Sequence, residues 1–155
     1  MFIQNAWYVA CALSELQGLQ DRPLGRTICN QKIAFFITAD QQVAAVEDFC
    51  PHRGAPMSLG QVCNGHLRCG YHGLLMDAQG QVLEMPQQRV RGFPRTRSFP
   101  VQLRYGFVWV WPGDADRADH RRAEVGQDVA EQVAGHHHVE AVRIAHEMRG
   151  QDVDV

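Results

Sequence analysis

No run of this 155-residue chain approaches the roughly 18 to 20 consecutive apolar residues that a membrane-spanning helix requires, and no basic segment precedes the short apolar stretch from Ala6 to Leu13. The expectation is a cytoplasmic protein with no membrane partner. Excess charge is lacking too: 15 Lys and Arg stand against 17 Asp and Glu, a formal net charge of -2. Without a large positive field there is little to hold a phosphate backbone, so nucleic acid is not an expected partner. The length argues against a two-domain enzyme and fits one ordinary domain with a short appendage. Paired cysteines are missing as well. Five is an odd number, and without a secretory signal it argues against a disulfide framework, leaving metal ligation or plain thiols for Cys11, Cys29, Cys50, Cys63 and Cys69.

What is present is unevenly spread. Residues 1–113 hold 7 acidic and 10 basic side chains, net +3, whereas residues 114–155 hold 10 acidic and 5 basic, net -5. All thirteen aromatic residues lie between Phe2 and Trp111, and the last 42 residues contain no Phe, Tyr, Trp or Leu. A segment of that composition has little to bury and is expected to form a poorly packed or helical tail. The boundaries read from composition are therefore 1–113 for the folded domain and 114–155 for a divergent acidic tail.

The first part reads as short strands between turn residues, which predicts an all-β fold, a small antiparallel β-sandwich. Residues 24–29 and 32–38 flank Asn30-Gln31 as a hairpin, and residues 43–47 follow a polar Asp40-Gln41-Gln42 turn. Residues 72–76 and 81–85 flank a turn at Asp77-Ala78-Gln79-Gly80, where Gly80 can take positive φ. The alternating Phe107-Val108-Trp109-Val110-Trp111 reads as a strand packed on both sides, stopped by Pro112-Gly113.

Two loops between these strands carry the candidate chemistry. Cys50-Pro51-His52-Arg53-Gly54-Ala55-Pro56 gives C-x-H, and after sixteen intervening residues Cys69-Gly70-Tyr71-His72-Gly73 gives C-x-x-H. At this chain's Cys and His frequencies, such a pattern arises by chance about once in a thousand. Thiolate and imidazole suit zinc or an iron–sulfur cluster, so residue types alone leave the metal open. The spacing bears on the choice: a zinc knuckle usually supplies a pair of cysteines from one loop, whereas here each loop offers one Cys and one His. If the two Cys bind one iron and the two His a second, the set is that of a Rieske [2Fe–2S] centre. Gly54 and Gly73 would allow close backbone approach, and Pro51 and Pro56 would stiffen the first loop.

Together with Asn5-Ala6-Trp7-Tyr8-Val9-Ala10-Cys11, Pro23-Leu24-Gly25-Arg26, residues 43–49 leading into the first loop, and residues 105–114, the pattern resembles the N-terminal Rieske domain of ring-hydroxylating and demethylating oxygenases. Within that family it is most similar to the oxygenase subunits of vanillate O-demethylases. The likeness runs to about residue 114. It implies a two-loop cluster-binding subdomain in which Cys50 and Cys69 hold a buried iron and His52 and His72 an outer one. It implies a flavin- or ferredoxin-type reductase as electron donor, further oxygenase subunits, and a mononuclear non-heme iron as electron acceptor. In a full-length enzyme an aromatic substrate such as vanillate would lose its methyl group as formaldehyde, leaving protocatechuate. High-potential respiratory Rieske proteins carry an extra cysteine in each loop and a hydroxyl residue bonded to a sulfide. The matching places here are Ala55, Tyr71 and Leu74, which implies a potential toward the low end of the Rieske range, about -150 mV.

The likeness also implies some two hundred further residues with a two-His, one-carboxylate iron site, and nothing of that kind follows Asp114. No catalytic residue is therefore assigned, and the chain by itself is expected to accept and donate one electron without turning over substrate. The abrupt change at this point is what a truncation, frameshift or fusion joint would produce. His136-His137-His138 and His146-Glu147 read as a solvated His-rich segment, because His146-Glu147-Met148-Arg149-Gly150 lacks the second histidine of a zinc motif. Two other classes stay open: a stand-alone Rieske-type ferredoxin, and a zinc-stabilised structural module using the same four residues. Cys11, Cys29 and Cys63 read as ordinary thiols, and Trp7, Trp109 and Trp111 as core aromatics. Arg89, Arg91, Arg95 and Arg97 read as a solvated basic loop, with docking of an acidic partner as the other reading. Glu47 and Asp48 stand just before the first loop, within reach of a histidine, but are not assigned to it.

Overall fold

The computed structural model describes residues 2–118, which form ten strands, one short helix and two 3-10 turns. The strands are β1 (Tyr8–Ala12), β2 (Leu24–Ile28), β3 (Gln31–Ile37), β4 (Val43–Glu47), β5 (Gln61–Cys63), β6 (His66–Arg68), β7 (Leu75–Met76), β8 (Val82–Glu84), β9 (Val101–Arg104) and β10 (Phe107–Val110). Every pairing is antiparallel, in three sheets ordered β1-β10-β9, β2-β3-β4 and β5-β6-β7-β8. The all-β expectation is met.

The middle sheet is a shared wall. Successive side chains on a strand point to opposite faces, so β3 sends Ile33 and Phe35 into a core with Val108, Val110 and Leu16, and Ala34 and Phe36 into a second core. That second core holds Cys50, Met57, Leu67, Cys69, Leu74 and Met76, directly beneath the two candidate loops. Phe35 and Phe36 are both fully buried, each contributing about 1.5–3 kcal/mol. A fixed sheet face thus backs the loops.

Several expectations shift in detail. Burial on both faces belongs to β3; β10 buries Val108 and Val110 but leaves Phe107 and Trp109 partly in solvent. The first hairpin turns on Cys29-Asn30, one residue earlier than Asn30-Gln31, because Ile28 pairs with Gln31 and the two intervening residues both take positive φ, 50° and 61°. A two-residue loop with both φ positive matches the twist of its strands, and Asn tolerates that conformation. The second hairpin turns at Asp77–Gly80 as expected, but its first strand begins at Leu75, since His72 to Leu74 belong to the second loop. The helix α1 (Leu13–Gly18) has no counterpart in the strand pattern; it buries Leu16 and has no side-chain N-cap, so its sequence signal is weak. Cys11 and Cys29 are buried thiols and Cys63 is half-buried, as read from sequence.

The domain closes through Arg97 and Trp111. Arg97 donates to the Gln31 side-chain oxygen at 2.7 Å and to the Pro112 carbonyl at 2.8 Å, also bonds the Gly113 carbonyl, and lies 4.5 Å above the Phe99 ring. Although solvent-exposed, as the basic stretch suggests, it also serves as a structural strap. The Trp111 ring is buried against Trp7 at 5.6 Å and its Nε1–H donates to the Asp114 carbonyl at 2.8 Å; the Trp109 Nε1–H donates to Arg104 at 3.4 Å. Asp114 continues the domain, since its N–H donates to Asn5 at 2.9 Å and its carboxylate caps a 3-10 turn at Ala115–Arg117. The readings of the His-rich segments and of the tail from 119 onward lie outside the described residues.

Candidate metal centre

The two loops are built on one backbone template. In the first, the Cys50 N–H donates to the Ala55 carbonyl and the Gly54 N–H to the Cys50 carbonyl, both at 2.8 Å. In the second, the Cys69 N–H donates to Leu74 at 2.8 Å and the Gly73 N–H to Cys69 at 3.0 Å. In each loop a glycine four residues after the cysteine takes left-handed φ, 73° at Gly54 and 77° at Gly73, a region where a Cβ is disfavoured. The chain is thus folded back on each cysteine twice. Only the histidine differs, two residues after Cys50 and three after Cys69.

This template brings the four sequence-predicted residues together as two pairs. Cys50 and Cys69 are 1% and 2% exposed, and their side chains lie within hydrogen-bonding reach of each other. Burial pushes the Cys50 thiol up, and the neighbouring Cys69 adds to this, while the backbone N–H groups of His52 and Arg53 point at the sulfur and oppose the rise. His52 and His72 are half-buried, with Nδ1 atoms 3.2 Å apart and ring centroids 4.7 Å apart. The His52 imidazole is held below its ordinary pKa, first by desolvation and then by His72 and Arg53. Among the described residues, no three or more His, Cys, Asp or Glu side chains are placed to hold a single ion. The donors gather two by two.

That arrangement fits a two-metal group. Two nitrogens, each about 2.1 Å from one metal at a near-tetrahedral angle, stand about 3.4 Å apart, close to the observed Nδ1 separation. The buried thiols offer a second, separate pair of soft donors, and the amide N–H groups beside Cys50 are suited to offset thiolate charge. Two sulfur donors inside and two imidazoles toward solvent could therefore hold a [2Fe–2S] group with each iron served by one pair.

Three supports escape the sequence reading. Asp48 does not bond a histidine; its carboxylate accepts from the Ser58 N–H and the Ser58 hydroxyl, both at 2.6 Å, and so closes the first loop across its base. The available signal is that Asp and Ser flank the loop, just outside its prolines. A third segment, residues 85–97, also borders the site: Phe93 meets His52 edge-on at 6.2 Å, and Pro86 lies against Gly73. Tyr71 lies over His72 with centroids 3.8 Å apart, and it is 63% exposed.

Comparison with known proteins agrees with this geometry. Residues 6–100 match the family model of the Rieske [2Fe-2S] domain. Over 119 residues the chain is 60% identical to the vanillate O-demethylase oxygenase subunit of Pseudomonas sp. strain HR199, covering 77% of this chain and 33% of that protein. It is 46% identical over 120 residues to the oxygenase component of dicamba O-demethylase from Stenotrophomonas maltophilia, covering 76% and 34% respectively. Among solved structures, dicamba monooxygenase bound to dicamba superposes with a TM-score of 0.71 at 45% identity, over 77% of this chain and 38% of that one. The chain spans about a third of the length of these curated relatives. Paired loops, paired donors and the family match together place the chain in the Rieske [2Fe–2S] domain family, homologous to the oxygenase components of O-demethylases such as those named for vanillate and dicamba.

Proposed function

We propose that this chain is the electron-accepting domain of an oxygenase subunit of the vanillate O-demethylase kind, with Cys50 and Cys69 as ligands to the inner iron of a [2Fe–2S] group and His52 and His72 as ligands to the outer iron. The observation that carries this reading is the two-by-two gathering of the donors, thiols buried and imidazoles half-exposed, on loops of one template. It also favours iron–sulfur over zinc, because a structural zinc draws four donors to one point. When bound, the group supplies reversible one-electron storage, at a potential near the low end of the Rieske range, about -150 mV.

The protein's own contribution is placement and exclusion of water. Met57, Leu67, Leu74 and Met76 pack fully buried in the core that holds Cys50 and Cys69, keeping the thiolate end dry. The His52 and Arg53 amides stabilise negative charge on the Cys50 sulfur. The imidazoles face outward, so a flavin- or ferredoxin-type reductase reaches the domain at the histidine end. In the full-length enzyme, the mononuclear non-heme iron and an aromatic substrate of the vanillate type belong to parts of the protein beyond the Rieske domain, and other oxygenase subunits complete the assembly. The domain is read as running past the compositional boundary at 113 to the 3-10 turn at Ala115–Arg117, since Asp114 bonds Asn5 and caps that turn. A cytoplasmic location accords with free cysteines, and among the described residues no helix is long and apolar enough to cross a membrane.

The test is to purify the chain without oxygen, count iron and acid-labile sulfide, and record visible and EPR spectra after dithionite reduction. Two irons, two sulfides and a Rieske-type reduced signal are expected. A colourless protein that binds zinc and cannot be loaded with iron and sulfide overturns the proposal.

A further inference from the structure

The sheet β5-β6-β7-β8 has one face in the core and one outside it, and the outside face holds polar groups that the fold leaves unused. Along β6 the side chains alternate: Leu67 is fully buried, so His66 and Arg68 share the opposite face, two residues and about 6.6 Å apart. Strand pairing fixes their neighbours there. Cys63 of β5 stands opposite His66, Gln61 and Leu75 stand on either side of Arg68, and Glu84 of β8 stands beyond Leu75. At the register shift between β7 and β8, Leu83 is exposed beside Glu84.

Neither basic side chain of β6 has a partner. His66 and Arg68 are half-buried, the His66 Nδ1 and Arg68 Nε atoms are shut off from solvent without a hydrogen bond, and among the described residues neither side chain makes an ion pair. The acids that strand pairing brings nearest do not supply one. The Asp77 carboxylate, next after Met76, accepts from the Gln79 and Gln81 N–H groups at 2.9 and 2.8 Å, and Glu84 lies two strands from Arg68, about 9.6 Å across the sheet. A guanidinium and an imidazole desolvated without partners are costly, and a bound anion offsets that cost.

We infer that Arg68 and His66 form a binding site for the carboxylate of a small aliphatic monoacid, whose apolar chain lies across Leu75 toward Leu83. With Nε and Nδ1 shut in, the Arg68 Nη pair and the His66 Nε2 are the nitrogens left to meet a ligand. Donors on side chains about 6.6 Å apart are bridged by one carboxylate that takes a bond of about 2.8 Å on each oxygen, and the guanidinium fork matches its plane. Leu75 beside Arg68 and Leu83 one strand further give the chain an apolar track. Glu84 at the far end repels a second carboxylate, which selects a monoacid over a diacid. The site does not depend on the iron–sulfur reading, since Cys69, the next residue after Arg68, is buried in the core on the other face of the sheet.

The test is a titration of the full chain by ligand-observed saturation-transfer NMR, with hexanoate as the monoacid, hexylamine as the same chain with a cationic head, and hexanedioate as the diacid. Hexanoate is expected to bind saturably, hexylamine not at all, and hexanedioate about tenfold more weakly than hexanoate. Arg68→Gln is expected to weaken hexanoate by about tenfold or more, the loss of one charge-assisted contact, and Glu84→Gln to bring hexanedioate level with hexanoate. Circular dichroism separates a lost site from a lost fold. Should Arg68→Gln not fold, Arg68→Lys, which keeps the charge and loses the fork, is expected to weaken hexanoate by about threefold to fivefold. The site is overturned by the absence of saturable hexanoate binding in the unaltered chain, by equal binding of hexylamine, or by an affinity unchanged in whichever of the two Arg68 variants folds.

Discussion

The first loop, Cys50 to Ala55, and the second, Cys69 to Leu74, share their backbone hydrogen bonds and yet are held in place by different means. The first contains Pro51, is followed by Pro56, and is clamped at its base by the carboxylate of Asp48 on Ser58. The second has neither proline nor clamp; it lies between the sheet strands β6 and β7, with Gly73 against Pro86 of the third segment. One donor pair can thus be assembled from a loop rigid in itself and a loop made rigid by its neighbours. The shared requirement is the turn that aims each cysteine inward. The remaining freedom is absorbed by the histidine offset, two residues in one loop and three in the other.

The largest expected effect removes a ligand. Cys50→Ser or His72→Ala should each leave an iron content near zero after anaerobic purification, measured by metal analysis, because the proposed assignment gives each iron only two protein donors. If the two loops are equivalent at this level, ligand losses from either should be indistinguishable.

Next, the clamp should make the loops unequal. Two short charge-assisted hydrogen bonds to a half-buried carboxylate each stabilise near the lower end of about 1.5–3 kcal/mol, so Asp48→Ala should cost about 3 kcal/mol in denaturant unfolding, and Ser58→Ala, which removes one of the two, about 1.5 kcal/mol. An Asp48→Ala variant of unchanged stability would remove the distinction drawn between the loops.

Glycine substitution sharpens the comparison further. Left-handed φ at Gly54 and Gly73 makes alanine cost about 1–2 kcal/mol in either loop. The added Cβ would meet the half-exposed Phe49 ring at 3.0 Å in the first loop and the Pro86 ring at 3.2 Å in the second. A phenyl ring at the surface can swing aside, and a pyrrolidine locked into the chain cannot. Gly73→Ala should therefore lower the thermal unfolding midpoint more than Gly54→Ala does.

The smallest effect concerns Tyr71. Its ring is largely exposed, so Tyr71→Ala should change unfolding free energy by no more than about 0.5 kcal/mol. Because the ring lies 3.8 Å from that of His72, the substitution should nevertheless shift the histidine resonances of that ring in the cluster-free protein, observable by NMR.

The chemistry of the site was far more legible in the sequence than its supports. Cys50, His52, Cys69 and His72 announce themselves because soft and imidazole donors at short spacing have few other uses, and the structure gathers all four. The strand Val43–Glu47, a short apolar run after a polar turn, also reads correctly. The turn at Cys29-Asn30 was displaced by one residue because no glycine marks it and its geometry depends on register with a partner strand. Arg97 could not be told from its neighbours Arg89 and Arg91, since its carbonyl partners Pro112 and Gly113 are brought to it only by the closing of the domain. The double burial of β3 was likewise hidden, because it follows from the middle sheet serving two cores at once. Local pattern reports residue chemistry and period; it does not report which distant carbonyl a guanidinium will find.

Whether the four donors divide two and two between two irons, as proposed, is decided by pulsed EPR on the reduced, cluster-loaded chain grown with 15N-histidine. Magnetic coupling to two directly bound histidine nitrogens, with no third, is expected. Coupling to one such nitrogen, or to none, would contradict that division.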